Sequence, residues 1–332
     1  MKTQQPATNS FIHHLSRRGF CRVGSQVALG IAASPSLLAQ EAASNGSRIK
    51  MSICLTPGSI GVSANQREAI DLAARHGFDA VEPFGGQLAN FSESQIAEMV
   101  DDLKQKKLVW GAAGLPVEFR QDDTKFRDGM KTLPKIAAAL RTAGVTRVGT
   151  WLPPAHASLT YLRNFKQHAE RLREAARVLA DHGQRLGLEY VGTQTLRNNR
   201  KHSFIHTMAE TKELIAEIGT GNVGFVPDSW HWWTAGDTVD DLLTLKNEDV
   251  ISVDLNDAPS GVPKDQQIDG KRELPLATGI IEVAGFLNAL QKIGYDGPVR
   301  AEPFNKPLND LDNDAACTAT IVAMRKAFAL LR

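Results

Sequence analysis

The sequence contains little cysteine, with three residues in 332. Cys21 lies in the N-terminal segment, so the body of the chain holds only Cys54 and Cys317. Two thiols provide no disulfide framework, and spacing alone cannot supply the geometry that a disulfide requires. We therefore expect two buried free thiols, with a disulfide between them as the alternative.

An excess of charge of one sign is also missing. The chain has 38 basic and 37 acidic residues, a formal net charge of +1. Four of the basic residues (Lys2, Arg17, Arg18 and Arg22) fall in the first 40 positions, which contain no acid, and this leaves 34 basic against 37 acidic residues. A body this balanced gives no electrostatic case for binding nucleic acid or an anionic membrane.

The sequence has no apolar run suited to a permanent membrane anchor. Residues 23–39 are mildly apolar but short and rich in Gly, Ser and Ala. They follow SRRGFCR at residues 16–22, which resembles a twin-arginine export signal. The sequence thus predicts a signal peptide at 1–40, a linker at 41–48 and export to the periplasm or another extracytoplasmic space, with the twin-arginine export machinery as a partner. A disordered basic tail is the alternative interpretation.

A glycine-rich phosphate loop is absent after the first predicted strand, since residues 56–61 lack the dinucleotide fingerprint and its helix context. This argues against a doubly wound open sheet, which remains the alternative fold. Near-continuous apolar strands instead alternate with amphipathic helices, as in a parallel sheet covered by helices. Eight such units predict a single (β/α)8 TIM barrel over residues 49–332.

The predicted strands are 50–55, 79–83, 108–113, 146–151, 186–191, 223–228, 250–255 and 299–302. The predicted helices are 67–76, 93–106, 125–143, 162–186, 205–218, 239–246, 281–293 and 315–331. Several helices end in glycine directly before the next strand, which is typical of a left-handed C-cap. The longest insertion, 256–279, follows the seventh strand and is predicted to cover the active face.

Acidic residues end four consecutive predicted strands: Glu189, Asp228, Asp254 and Glu302. The carboxyl ends of barrel strands form the active face, so these side chains are expected to converge there. Four oxygen ligands suit one hard divalent cation, Mn2+ or Mg2+, with Co2+ or Zn2+ as substitutes. The alternative is that each acid pairs with an arginine or a lysine at a strand end.

These segments resemble the xylose isomerase-like TIM barrel group, which includes sugar phosphate isomerases and epimerases. The resemblance covers about residues 49–330 and rests on GLE at 187–189, PDSWH at 227–231, LNDA at 255–258 and AEPF at 301–304. It implies that Glu189, Asp228, Asp254 and Glu302 bind the metal, with Mn2+ as the favoured ion. Asp254 departs from the pattern, because the group usually has histidine there. The group also includes endonuclease IV, which has a three-zinc site with several histidines. Here seven histidines follow the predicted signal peptide, and all except His231 fall on predicted helices or in loops, so DNA repair is not expected.

Five further residues are candidates for substrate contact. The resemblance places a substrate-binding histidine at His231, for which a packed rim residue is the alternative. Trp151 and Trp232 follow strand ends, where aromatic faces stack on sugars, although core packing is an equally common use of tryptophan. Glu82 could bind a hydroxyl or form an ion pair. Arg197 lies on an active-face loop, as do Lys271 and Arg272, for which loose surface charge is the favoured interpretation.

The resemblance and the carboxylates together predict a metal-dependent isomerase or epimerase. It would abstract a proton next to the carbonyl of a sugar or keto-sugar, with Glu189 and Glu302 as the acid–base pair. Two alternatives stay open: an elimination-type lyase or deglycosidase acting on 3-keto-glycosides, and a non-catalytic sugar-binding barrel. The expected partner is a small carbohydrate, and a homo-oligomer is compatible with the sequence.

Overall fold

The structure is a computed structural model, and it describes residues 51–332. The predicted signal peptide and linker lie outside the described residues. Within residues 51–332, no helix is both long and apolar enough to cross a membrane.

Eight parallel strand positions follow one another around a closed barrel, as the sequence predicts. One sheet has the order β10-β11-β1-β2-β3 and a second has the order β4-β5-β7-β9, with every neighbouring pair parallel. Isolated parallel bridges at Phe225–Val250 and Asp228–Asp254 join β9 to β10. The strands are β1 Ser52–Leu55, β2 Ala80–Val81, β3 Val109–Trp110, β4 Ala113–Gly114, β5 Arg147–Leu152, β6 Ala155–His156, β7 Arg185–Tyr190, β8 His202–Ser203, β9 Val223–Phe225, β10 Val253–Asp254 and β11 Pro298–Arg300.

The third barrel position is divided between β3 and β4. The amide of Gly111 donates to the carbonyl of Val81, and the amide of Leu115 donates to the carbonyl of Gly149. The chain therefore changes its bonding partner from β2 to β5 within a few residues. A Cβ atom at Gly111 would lie 2.5 Å from the sulfur of Cys54, so only glycine fits at this crossing.

Eight helices surround the barrel, one after each strand position. They are α1 Gln66–His76, α3 Glu93–Gln105, α4 Asp123–Thr142, α5 Tyr161–Asp181, α7 Met208–Ile218, α9 Val239–Leu243, α10 Val283–Lys292 and α12 Asn313–Phe328. Additional short helices are α2 Gly85–Leu88, α6 Gln194–Arg197, α8 Ser229–Ala235 and α11 Lys306–Asn309, and 3-10 turns lie at Pro57–Ile60, Asn247–Asp249 and Lys264–Gln266.

Helix ends differ from the predicted ones where a cap decides them. Residues 162–186 are predicted as one helix, but α5 ends at Asp181 and Gly183 follows with φ 73°. A left-handed residue cannot continue an α-helix, so the chain turns there into β7. Likewise α7 begins at Met208 and not at 205, because the side chain of Thr207 accepts a hydrogen bond from the amide of Glu210.

Apolar side chains of the strands and of the inner helix faces form one continuous core. Cys54 and Cys317 are buried within it as free thiols, as expected. Burial raises the pKa of the Cys54 thiol to about 12. This cysteine is therefore a packed apolar group and not a nucleophile.

Two loops at the carboxyl end of the barrel pair with each other. The loop after β5 supplies β6 and the loop after β7 supplies β8, which form an antiparallel pair with Ala155 opposite Ser203. The amide of Phe204 donates to the carbonyl of Pro154 at 2.7 Å. Next to this strand pair, the buried ring of Phe204 packs on Tyr161 and His168.

Candidate active site

A cavity of about 810 Å³ opens at the carboxyl ends of the barrel strands. Its inner part is polar and is lined by Glu189, His231, Arg272, Arg300 and Glu302. This is the face where barrel enzymes carry their active sites. The polar side chains come from β7, α8, the 256–279 loop and the strand position of β11.

The four predicted carboxylates converge. One oxygen each of Glu189, Asp228, Asp254 and Glu302 can be chosen so that all lie within 4.8 Å of one another. Glu189, Asp228 and Asp254 are buried, and the side chain of Glu302 is 13% exposed. Each of these side chains lies at the carboxyl end of its strand.

Glu189 carries the least satisfied carboxylate of the four. Its Oε1 is buried and has no hydrogen-bond partner, while the Nε2 atom of His231 lies 3.7 Å away. Burial raises the pKa of Glu189 well above its usual value, and the charges of Glu302, Asp254 and Asp228 raise it further. A buried polar atom without a partner is costly, so this oxygen is available to a ligand.

Asp228 joins the cluster to a short helix. One oxygen accepts hydrogen bonds from the amides of Trp230 at 2.6 Å and His231 at 3.2 Å, as the N-cap of α8. The other accepts from Nη1 of Arg272 at 2.8 Å and from Nδ2 of Asn256 at 3.0 Å. Burial raises the pKa of Asp228 to about 6, although Arg272 opposes the shift.

Asp254 is paired with an arginine on the neighbouring strand. Arg300 lies directly opposite in the register of β10 and β11, and it donates from Nε at 2.5 Å and from Nη2 at 2.9 Å to the two carboxylate oxygens. The same Nη2 lies 3.1 Å from Oε1 of Glu302. The sequence predicts either a carboxylate cluster or an ion pair for this residue. Asp254 combines the two, because it lies in the cluster and also forms an ion pair with Arg300.

The interpretation of Arg272 as loose surface charge is wrong. Its side chain is 1% exposed and lies 2.8 Å from Asp228 and 2.5 Å from Asp269. It also lies 3.5 Å from Oε2 of Glu302, and its Nη2 lies 2.9 Å from Nε2 of His231. These neighbouring acids raise the already high pKa of Arg272, so the group is a permanent buried cation.

His231 lines the cavity from the first turn of α8. The amide of Gly192 lies 3.3 Å from its Nδ1. Burial, reinforced by Arg272, lowers the pKa of His231 well below its usual value, so the imidazole is neutral at neutral pH. A Cβ atom at Gly192 would lie 2.3 Å from the carbonyl oxygen of His231, so glycine is what allows the end of β7 to approach α8 this closely.

The two tryptophans predicted to contact substrate lie in different environments. Trp151 lies directly opposite Glu189 in the register of β5 and β7, lines the cavity and is 46% exposed. Trp232 does not line it: the indole is 6% exposed, packs on Phe286 and donates from Nε1 to the carbonyl of Thr238. The prediction for Trp232 is corrected to core packing, because one helical residue turns the side chain by about 100° from His231.

Glu82 and Arg197 also lie outside the cavity lining. Glu82 is part-buried, and desolvation raises its pKa to about 7, although the nearby Arg300 opposes the shift. Arg197 ends α6 and donates to Gln194 at 3.4 Å, while Arg200, three residues later, lines the rim. The loop that contains Arg197 therefore reaches the cavity through Arg200, and Arg197 itself does not line it.

The 256–279 loop lies on the active face, as expected. It contributes Asp269 and Arg272 to the cavity. Its two ends are tied by Asp257, whose carboxylate accepts from the amides of Thr278, Gly279 and Ile281 at 2.9, 2.7 and 3.0 Å. The loop is therefore an ordered wall of the site.

The carboxylate cluster fits one divalent cation. Oxygens bound to the same hard cation lie within about 5 Å of one another, roughly twice the bond length. The 4.8 Å limit within the cluster agrees with this, and the partnerless oxygen of Glu189 provides a free donor. Arg272 and Arg300 neutralise part of the charge of the four carboxylates, and a divalent cation would offset the charge that remains.

Comparisons with known proteins identify proteins that are similar to this chain in sequence and fold. The inosose isomerase of Bacillus velezensis is 24% identical over 263 residues, which cover 76% of this chain and 89% of that protein. The structure of a xylose isomerase domain protein from Alicyclobacillus acidocaldarius is 32% identical, with a TM-score of 0.74, and covers 84% of this chain and 99% of that one. The structure of the IOLI protein with a binding zinc atom has a TM-score of 0.70 at 19% identity, covering 84% and 98% of the two chains.

The model of one protein family, described as the xylose isomerase-like TIM barrel, matches residues 70–326. This range runs from the first surrounding helix to the last. It includes all four carboxylates, Arg272 and Arg300. By fold and by sequence, this chain belongs to the xylose isomerase-like TIM barrel family.

Proposed function

We propose that this chain is a divalent-metal-dependent isomerase or epimerase that abstracts a proton next to the carbonyl of a sugar or keto-sugar. The observation that carries the proposal is the pair of glutamates, buried Glu189 and largely buried Glu302, in one carboxylate cluster at the base of the cavity. The similarity to an inosose isomerase supports the reaction class. The substrate is a small carbohydrate.

Glu189, Asp228 and Glu302 are the residues that would hold the ion, together with Asp254 if its oxygens can be shared with Arg300. When bound, a divalent cation polarises a carbonyl and so acidifies the neighbouring C–H. An all-oxygen donor set favours Mn2+ or Mg2+, although the zinc of the IOLI structure keeps Zn2+ among the candidates. The proposal therefore names a divalent ion, with Mn2+ preferred.

Glu302 is suited to move a proton at neutral pH. Burial raises its pKa to about 7, although Arg300 and Arg272 oppose the shift. A carboxyl group with a pKa near the working pH can accept a proton in one step and return it in another. Glu189, whose pKa is also raised, is the partner that would return the proton to the other face or to the adjacent carbon.

The two arginines hold the carboxylate of Glu302 in place. Nη2 of Arg300 lies 3.1 Å from Oε1 of Glu302, and Nη1 of Arg272 lies 3.5 Å from Oε2. The amide of Glu302 donates to Oδ1 of Asn256 at 2.8 Å, which fixes the backbone at the strand end. Arg272 and His231 line the cavity, and the positive charge of Arg272 can stabilise negative charge that develops on a substrate oxygen.

Solvent-hydrogen exchange tests the proposal. Wild-type protein with Mn2+ should incorporate deuterium from heavy water into one or more members of a keto-sugar panel, followed by NMR. Glu302→Gln keeps a ligand oxygen but cannot accept the proton, so its exchange rate should fall by about 10²–10⁴-fold.

The matched control is Glu98→Gln, at an exposed glutamate of α3, which should exchange at the wild-type rate. Exchange by Glu302→Gln at the wild-type rate would remove Glu302 from the mechanism. Binding of a sugar without any exchange by the wild-type protein would favour the sugar-binding barrel.

A further inference from the structure

The cavity is larger than one sugar ring requires. Its volume of about 810 Å³ falls in the upper part of the roughly 300–1,000 Å³ range typical of pockets for drug-sized ligands. Glu189, Glu302 and the two arginines, Arg272 and Arg300, line only its inner part. The rest extends past Trp151 to the paired loops after β5 and β7, with Pro153, Pro154, Leu196 and Asn199 in the lining.

This outer wall is ordered. The strands β6 and β8 pair antiparallel and so hold the two loops together, and the amide of Phe204 donates to the carbonyl of Pro154. Phe204 and Tyr161 pack next to this strand pair with their ring centroids 5.5 Å apart. The outer region is thus a defined surface of the fold, built from two loops that the barrel itself does not require.

Trp151 provides a flat aromatic surface between the two regions. The guanidinium carbon of Arg120 lies 4.4 Å from its ring centroid and 4.4 Å from that of Phe119. Arg120 also donates to the carbonyl of Trp151 at 3.1 Å and to Oγ1 of Thr150 at 2.6 Å, and it pairs with Glu118 at 3.1 Å. The guanidinium therefore holds one side of the indole, and 46% of the residue remains exposed.

A second aromatic ring lines the same opening. Phe304 is 36% exposed, and Arg272 lies 4.9 Å from its ring. Its φ of 44° is unusual for a residue other than glycine, and such backbone strain collects at ligand sites. Partly exposed aromatic residues that line a concave opening indicate a surface meant to be covered by a ligand.

We propose that the outer cavity is a second subsite, which takes a ring joined to the reacting sugar. The ligand class is a glycoside whose second ring has a flat apolar face, and the ring stacks on the exposed part of Trp151. Either a phenolic ring or a second sugar has this face, while Asn199 and Arg200 at the rim suit polar groups on its edge. The inference rests on the proposed function, because it assumes that the sugar ring itself lies against the carboxylates.

The test compares dissociation constants by calorimetry for the methyl, phenyl and glucosyl glycosides of the same sugar, over a panel of sugars. Stacking on one indole is expected to tighten binding of a two-ring ligand by about two- to tenfold relative to the methyl glycoside. Trp151→Ala should reduce this ratio to about one, and Trp151→Tyr should restore part of it. The readout is the ratio, so a general loss of affinity does not count as support.

The control is Trp233→Ala, which removes a tryptophan that lies outside the cavity lining. The Nζ atom of Lys264 lies over its ring, 4.8 Å from the centroid. Its ratio should equal that of the wild type. A phenyl-only gain assigns the subsite to an aromatic ring, and a glucosyl-only gain assigns it to a second sugar. No preference in the wild type, or a preference that Trp151→Ala leaves intact, overturns the inference.

The outcome separates the subsite from the proposed function. Deuterium exchange on a keto-sugar without any two-ring preference leaves the function standing and removes the subsite. A preference that depends on Trp151, without exchange on any keto-sugar, retains the subsite and removes the catalytic proposal.

Discussion

Replacing Arg300 with methionine should destabilise the barrel strongly, because it leaves a buried carboxylate without its partner. Asp254 is 0% exposed, and both of its oxygens accept hydrogen bonds from Arg300. Removal of one partner of a buried ion pair costs about 3–5 kcal/mol. The arginine side chain is 24% exposed, so solvent can reach the site and the lower end of that range, about 3 kcal/mol, applies.

Urea unfolding in the presence of a chelator, followed by tryptophan fluorescence, measures this loss. With a slope of about 3 kcal/mol per molar urea, the midpoint of Arg300→Met should fall by about 1 M. Asp254→Asn in the Arg300→Met background removes the unpaired charge and should recover most of the loss. The double-mutant cycle therefore predicts a large coupling between the two positions.

Two results would refute this reasoning. A loss below about 1 kcal/mol for Arg300→Met would place the pair among weak surface ion pairs. Failure of Asp254→Asn to recover stability would show that the arginine acts through Glu302 or Glu82 and not through Asp254. Arg75→Met provides the matched control, because Arg75 pairs with Asp314 at 2.8 Å where both side chains are more than half exposed.

Three further predictions concern protons, metal and export. Burial raises the pKa of Glu82 from 4.5 to about 7, so the folded state binds this proton more tightly than the unfolded state does. The stability that the proton provides, about 3 kcal/mol, is complete below pH 4.5 and is lost as the pH rises through 7. Glu82→Gln should flatten the stability–pH curve in that window, and an unchanged slope would exclude Glu82 as its source. Mn2+ should bind with a stoichiometry of one in calorimetry, and Glu189→Gln should weaken that binding by at least about tenfold while Glu98→Gln leaves it intact, as loss of a charged ligand requires. We also propose that residues 1–40 direct export by the twin-arginine route, so changing Arg17 and Arg18 to lysine should retain the protein in the cytoplasm in cell fractionation, and unchanged export would contradict this.

The barrel and its carboxylates are predictable from sequence because both follow from short-range patterns. Apolar strands in alternation with helices specify a parallel barrel, and the position of an acid at the end of a strand specifies the face on which it lies. Strand lengths are predicted less well. At 223–228, for example, the regular strand covers only Val223–Phe225, although Asp228 still forms an isolated bridge with Asp254 before it caps α8.

The two arginines of the site differ in how far sequence could have found them. Arg300 stands two residues before Glu302 on one strand, and residues with this spacing point to the same side of a sheet. That spacing, with Asp254 on the adjacent strand, could have predicted the ion pair. Arg272 lies in a loop without periodicity, and its burial depends on the path by which Asp257 ties the loop ends.

The balance of charge in the site links its protons to its metal. Two buried guanidinium groups face four carboxylates, and the pKa values of Glu189, Asp228 and Glu302 are all raised. A raised pKa means that without a cation these acids gain protons near neutral pH, since burial penalises the remaining negative charge. A divalent cation would offset the same charge and displace those protons, so metal affinity should rise with pH through about 6 to 7. We therefore infer that Arg272 and Arg300 reduce the negative charge that a divalent ion at this cluster would have to neutralise.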